Sequence, residues 1–181
     1  MPWHTCNECE QFISDVIKRD ARYICLLGRL RNTSFYEDPA STKYHCNERG
    51  GLAHHSNNVM WNLVHLTHSL DLKWERYDSP MIVAMCHDLC KIGAYLPDGN
   101  GGYTWNKDHP KGHGDLSVEI AKNLIELTEE EEVCIRYHMG AFEGKEIYQE
   151  YTAAITRFPR ILDINYADMK ATHYDEAEEA Y

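Results

Sequence analysis

The sequence predicts an all-α bundle of six to seven helices, and three observations lead there. Apolar residues recur every three or four positions through most of the chain. Helix start and stop signals fall at the ends of those periodic runs. The segments without the pattern, 32–50 and 94–112, carry Gly, Pro, Asn and Asp instead, the residues of turns.

The first helix is expected over 8–31, with Ile13, Ile17, Ile24 and Leu27 on one face. A loop follows to residue 50. The second helix spans 52–74, with Val59, Leu63, Leu66 and Leu70 as its core stripe and His55 one turn before Val59 on that stripe. His54, Trp61, His65 and His68 fall on a different face. The third helix has Ser79 as N-cap, Pro80 at its first position and Gly93 at its end. It has no polar face, so it should be central and buried. Residues 94–112 read as a long loop or small hairpin.

The fourth helix spans 113–127, and His113 begins its stripe of Leu116, Ile120, Leu124 and Leu127. Thr128-Glu129-Glu130-Glu131 is a capping-box start for a fifth helix ending near His138. Two further helices, 146–158 and 160–173, are separated by Pro159. In the second of them Ile161, Ile164, Asp168 and Ala171 share a face. The acidic tail from Asp175 to residue 181 is expected to fray. There is no internal repeat, and 1–181 reads as one domain with its core over 43–172.

With 43% hydrophobic and 26% charged residues, the composition is that of a soluble globular protein. No apolar stretch is long enough to cross a bilayer and the N-terminus lacks a signal-peptide pattern, so no membrane partner and a cytoplasmic location are expected. A net charge of −11 argues against a duplex nucleic-acid binder. It leaves room for a small phosphorylated substrate, because bound divalent cations would reverse the charge locally. Seven cysteines, an odd count at irregular spacing, argue against a disulfide framework. Cys6-Asn7-Glu8-Cys9 is a lone CxxC and reads as inert, and Cys86 and Cys90 read as small core residues.

The most informative stretch is Met85-Cys86-His87-Asp88-Leu89-Cys90-Lys91-Ile92-Gly93. An imidazole and a carboxylate side by side in an apolar run are costly to bury unless something pairs them. A metal ion would. His55, His113 and Asp168 each extend a hydrophobic stripe and so point inward, and His138 lies in Tyr137-His138-Met139-Gly140. Imidazole with carboxylate suits one or two divalent transition-metal ions: Mn, Fe, Co, Ni or Zn. Two alternatives stand beside this set. His54 competes with His55, and Asp163 with Asp168; the stripes favour His55 and Asp168.

The order His, His-Asp, His, His, Asp resembles the HD-domain superfamily of metal-dependent phosphohydrolases. The surrounding segments Gly50-Gly51-Leu52-Ala53-His54-His55-Ser56, Pro110-Lys111-Gly112-His113-Gly114-Asp115 and Ala167-Asp168-Met169-Lys170 are similar to a small stand-alone branch of it found in phage and prophage regions. They are also similar to the HD module of a bacterial 3′-to-5′ exoribonuclease. The resemblance implies an HD-type helical bundle. It implies one metal on His55, His87, Asp88 and Asp168, and a second on Asp88, His113 and His138. The activity implied is hydrolysis of a phosphate ester or anhydride, foremost of a nucleotide, by a metal-activated hydroxide. Asp88 would bridge the metals, and Lys91 would contact phosphate and act with Asp88 in catalysis. His45 is a candidate substrate contact in the loop before the first ligand. Tyr103 and Trp105 are candidates to stack on a nucleobase. Alternative activities are a 3′-to-5′ exonuclease on short RNA or single-stranded DNA, with Lys107, Lys111 and Lys145 as its cationic track, and a mixed-valent di-iron oxygenase with the same ligand types.

Overall fold

A computed structural model describes residues 7–19, 21–140 and 147–177. Among these the chain forms eight α-helices and one two-stranded hairpin, a mostly helical fold. Cys6, Lys145 and the end of the acidic tail lie outside the described residues.

The expected first helix is two: α1, Asn7–Arg19, and α2, Ala21–Leu30. The buried face is not the expected one. Cys9, Val16, Tyr23, Leu26 and Leu30 are buried, whereas Ile17 and Ile24 are 45% and 44% exposed. Both faces are apolar enough to serve, so periodicity alone could not choose between them. α3 runs Gly51–Ser69 and stops before the expected Trp74. The chain turns at Asp71, which is left-handed with φ 50°, and Leu70 is 61% exposed rather than part of the core. Gly51 opens α3 under Cys46: a Cβ there would sit 2.0 Å from the Cys46 carbonyl oxygen.

α4, Ser79–Cys86, is buried at all eight positions, as an apolar helix without a polar face must be. Burying residues such as Ile82 and Val83 contributes roughly 1.5–3 kcal/mol each. Its N-cap is Asp78, one residue before the expected Ser79. Arg22 of α2 bridges Asp78 (2.8 Å) and the buried Glu131, which also accepts from the Ser79 hydroxyl at 2.7 Å. Removing one partner of such a buried pair costs about 3–5 kcal/mol.

α4 ends at Cys86, not near Gly93. A 3-10 turn over Leu89–Lys91 follows, and Gly93, with φ 69°, closes it. Successive side chains on an α-helix diverge by about 100°. Breaking the helix at Asp88 (φ −111°, ψ 20°) lets His87 and Asp88 face one centre. Strands β1, Tyr95–Pro97, and β2, Tyr103–Trp105, form the small antiparallel hairpin, with Leu96 opposite Thr104.

α5, His113–Leu124, ends short of the expected Leu127; Gly114, Ser117, Val118 and Ala121 are buried, while Ile120 and Leu124 pack at the core margin. α6, Glu129–Arg136, begins with the expected capping box: Thr128 accepts from the Glu131 N–H and Glu131 from the Thr128 N–H. α7, Tyr148–Arg157, and α8, Arg160–Lys170, meet at Pro159. α8 continues into a π-type turn over Ala171–Asp175. α3 packs between α4 and α8, and α5 lies against the 3-10 turn and α6. No helix among the described residues is long and apolar enough to cross a membrane.

Candidate metal centre

His55 from α3, His87 and Asp88 from the end of α4, His113 from the start of α5, His138 from the turn after α6 and Asp168 from α8 converge at one point. His55, His87 and Asp88 present ligand atoms within 4.8 Å of one another, and so do Asp88, His113 and His138. His87, His138 and Asp168 form a third such group linking the two. These buried groups are positioned to hold a metal ion.

Asp88 divides the cluster. Its Oδ2 lies 3.4 Å from both His55 Nε2 and His87 Nε2. Its Oδ1 lies 3.0 Å from His113 Nε2 and 3.7 Å from His138 Nε2. Asp168 Oδ1 stands 3.2 Å from His55 Nε2, on the Oδ2 side.

The rings are held so that Nε2 faces the centre. His87 Nδ1 donates to the Ala84 carbonyl and His138 Nδ1 to the Ile135 carbonyl, each at 2.7 Å. His55 Nδ1 meets Glu176 Oε1 at 2.9 Å. A neutral ring with its proton on Nδ1 has a lone pair on Nε2. Yet His55 and His87, whose Nδ1 atoms both face oxygen acceptors, meet through Nε2 at 3.2 Å. Two lone pairs at that distance repel unless a cation, a proton or a metal ion, lies between them. The donor set therefore fits a metal.

The electrostatics follow. Burial works against a charge on His55, but hydrogen bonds to the Asp168, Asp88 and Glu176 carboxylates hold it well above the usual imidazole range. His113, despite its burial, is pushed up to about 10 by Asp88 and Cys90. Burial, with His87 and His113 alongside, holds His138 down to about 3. Burial would raise Asp88, yet Lys91 and His87 keep it well below the usual carboxylate range.

Lys91 Nζ is 2.7 Å from Asp88 Oδ2, reaching it through the 3-10 turn rather than along a helix face. A cavity of about 310 Å³ opens over the cluster, with Lys91 and His45 on its wall and Met139, Met169 and Thr172 around them. The His45 ring lies 5.0 Å from that of His55, its Nε2 is buried without a hydrogen-bond partner, and burial beside His55 and Lys91 holds it down to about 4. Tyr103 and Trp105 do not line this cavity. Trp105 packs edge-on against Tyr95 and His109 and is 45% exposed. His54 turns away from the centre, 3.8 Å from Cys46 Sγ and 3.9 Å from Glu48. Asp163 pairs with Arg160 at 3.2 Å.

Two contributors were not legible as such. Cys90, read as core, places its Sγ 3.1 Å from His113 Nδ1, and its N–H donates to Ser117 of α5. Glu176, in the tail expected to fray, is buried against His55; a carboxylate in an acidic run carries no local signal of that. No protein-family model matches this chain, and no curated protein or solved structure does either.

Proposed function

We propose that this chain is a metal-dependent phosphohydrolase of the HD type, cleaving small phosphate esters or anhydrides, foremost those of nucleotides. The division of Asp88 between two histidine pairs supports this most directly, because it offers two adjacent cation positions sharing one carboxylate. His55, His87, Asp88 and Asp168 would hold one ion, and Asp88, His113 and His138 a second. Such ions, when bound, supply Lewis acidity toward phosphoryl oxygens and make water acidic enough to ionise near neutral pH.

The chain's own residues do the rest. Lys91 brings a cation to the cavity wall, where it can bind a phosphoryl oxygen and stabilise charge that grows in the transition state. Asp88 orients Lys91 while holding the centre together. His45 offers a buried ring nitrogen for a hydrogen bond to substrate. Met139 and Met169 line the cavity with soft apolar surface that can pack against the substrate. A cavity of about 310 Å³ on a chain of net charge −11 favours a small phosphate over a long nucleic acid.

The test is metal analysis of the purified protein joined to a turnover screen over nucleoside mono-, di- and triphosphates, cyclic nucleotides and short oligonucleotides. Chelator-sensitive release of phosphate or nucleotide is expected. A fully metal-loaded protein that hydrolyses none of these overturns the proposal. An Fe(II)/Fe(III) signal with dioxygen consumption would point to an oxygenase instead.

A further inference from the structure

α3 carries His55, Asn58 and Asn62 at spacings of three and four, one buried polar stripe on an otherwise apolar face. The turn after α8 lies along this stripe. Its π-type winding, in which the Glu176 N–H reaches the Ala171 carbonyl at 3.0 Å, carries Asp175 and Glu176 back to α3. Asp175 accepts from Asn62 Nδ2 at 2.7 Å and from Lys170 Nζ at 2.6 Å. Glu176 Oε1 accepts from Asn58 Nδ2 at 3.1 Å and meets His55 Nδ1 at 2.9 Å, with Oε2 at 3.2 Å from the same nitrogen.

Glu176 is 3% exposed, and a carboxylate that deep is costly unless its partners are fixed and polar. Its partner ring reaches Asp88 at 3.4 Å and Asp168 at 3.2 Å through Nε2. The Nδ1 partners of the other cluster histidines are the neutral Ala84 and Ile135 carbonyls and the Cys90 sulfur. A charged acceptor on Nδ1 orients a ligating imidazole and makes its other nitrogen more basic.

We infer that Glu176 is a positioning residue of the metal centre: it holds the His55 proton on Nδ1 and aims Nε2 at the ion, which makes the C-terminal turn part of the site. Asp175 has a separate task, docking that turn on α3. This rests on the metal-binding part of the proposed function and not on the phosphate chemistry.

The experiment is chelator-competition titration of zinc into the full chain, comparing wild type with Glu176→Ala, Glu176→Gln and Asp175→Ala. Glu176→Ala should bind zinc about 10–100-fold more weakly. Glu176→Gln should fall between, since an amide oxygen still accepts the Nδ1 proton but without charge. Asp175→Ala should stay near wild type. In the zinc-loaded protein the slowly exchanging His55 Nδ1–H proton resonance should persist in wild type and Asp175→Ala and vanish in Glu176→Ala. Wild-type affinity in Glu176→Ala overturns the inference, and so does an equal loss in Asp175→Ala, which would reduce Glu176 to docking. Should the alanine variant not fold, Glu176→Gln decides by the same comparison. A wild type that takes up no metal overturns the metal centre together with this inference; one that binds metal but hydrolyses no phosphate overturns only the proposed activity.

Discussion

The Nε2 atoms of His55 and His87 stand 3.2 Å apart, although each ring's Nδ1 is already committed to another partner. That contact repels between neutral rings and attracts across a cation. Metal should therefore stabilise the fold. Adding Mn, Fe(II), Co, Ni or Zn to chelator-treated protein should raise its melting temperature, by about 2.7 kcal/mol of stability at a hundredfold excess over Kd. Differential scanning fluorimetry with and without chelator reads this directly, and an unchanged transition with every ion would count against the centre.

The two halves of the cluster should come apart by mutation. His87→Ala removes a ligand beside Asp168, and His138→Ala one beside His113. Each variant should lose one ion per chain by elemental analysis while keeping the helical circular-dichroism spectrum. Two ions retained in both would show the assignment to be wrong.

Asp88 and Lys91 should differ in kinetic signature. Asp88→Asn keeps the shape but removes the charge that faces both histidine pairs and Lys91. In the proposed hydrolysis, kcat should drop by about 10²–10³, the size of effect seen when one charge-stabilising group is lost. Lys91→Ala should also raise KM, since the proposed contact of this cavity-wall cation with phosphate would form before the transition state. Normal kcat in Asp88→Asn with metal in place would contradict the shared role.

Gly114 brings α5 against the end of α6. A Cβ there would lie 1.9 Å from the Arg136 carbonyl oxygen, so the two helices cannot close on any side chain. Gly114→Ala should cost about 1–3 kcal/mol in urea unfolding and weaken the ion held by the neighbouring His113 and by His138. Gly28, within α2 with nothing within 4 Å of its Cβ position, is the control. Gly28→Ala should be stabilising by about 0.5–1 kcal/mol, because alanine loses less backbone freedom in a helix.

Much of the centre was legible because its residues interrupt patterns. His55 and Asp168 continue apolar stripes on which a polar side chain must be paired, and this separated them from His54 and Asp163. The Thr128–Glu131 box was legible for the same local reason, its members being three residues apart. The second attachment of Glu131, to Arg22 and Ser79, was not, since those partners belong to other helices. The first two helices misled because both of their faces are apolar, and only the neighbours decide which face is covered.

By itself the sequence determined the helical class, most helix starts, the Thr128–Glu131 cap, the buried course of α4 and the residues that meet at the centre, all of which follow from periodicity and neighbours within a turn or two. Only the tertiary structure decided what surrounds and orients those residues. It broke α4 at Asp88, set Cys90 behind His113 and folded Glu176 under His55. Those relations join groups as far as 121 residues apart, and a burial cost shared across such a distance leaves no mark on the local pattern of either segment.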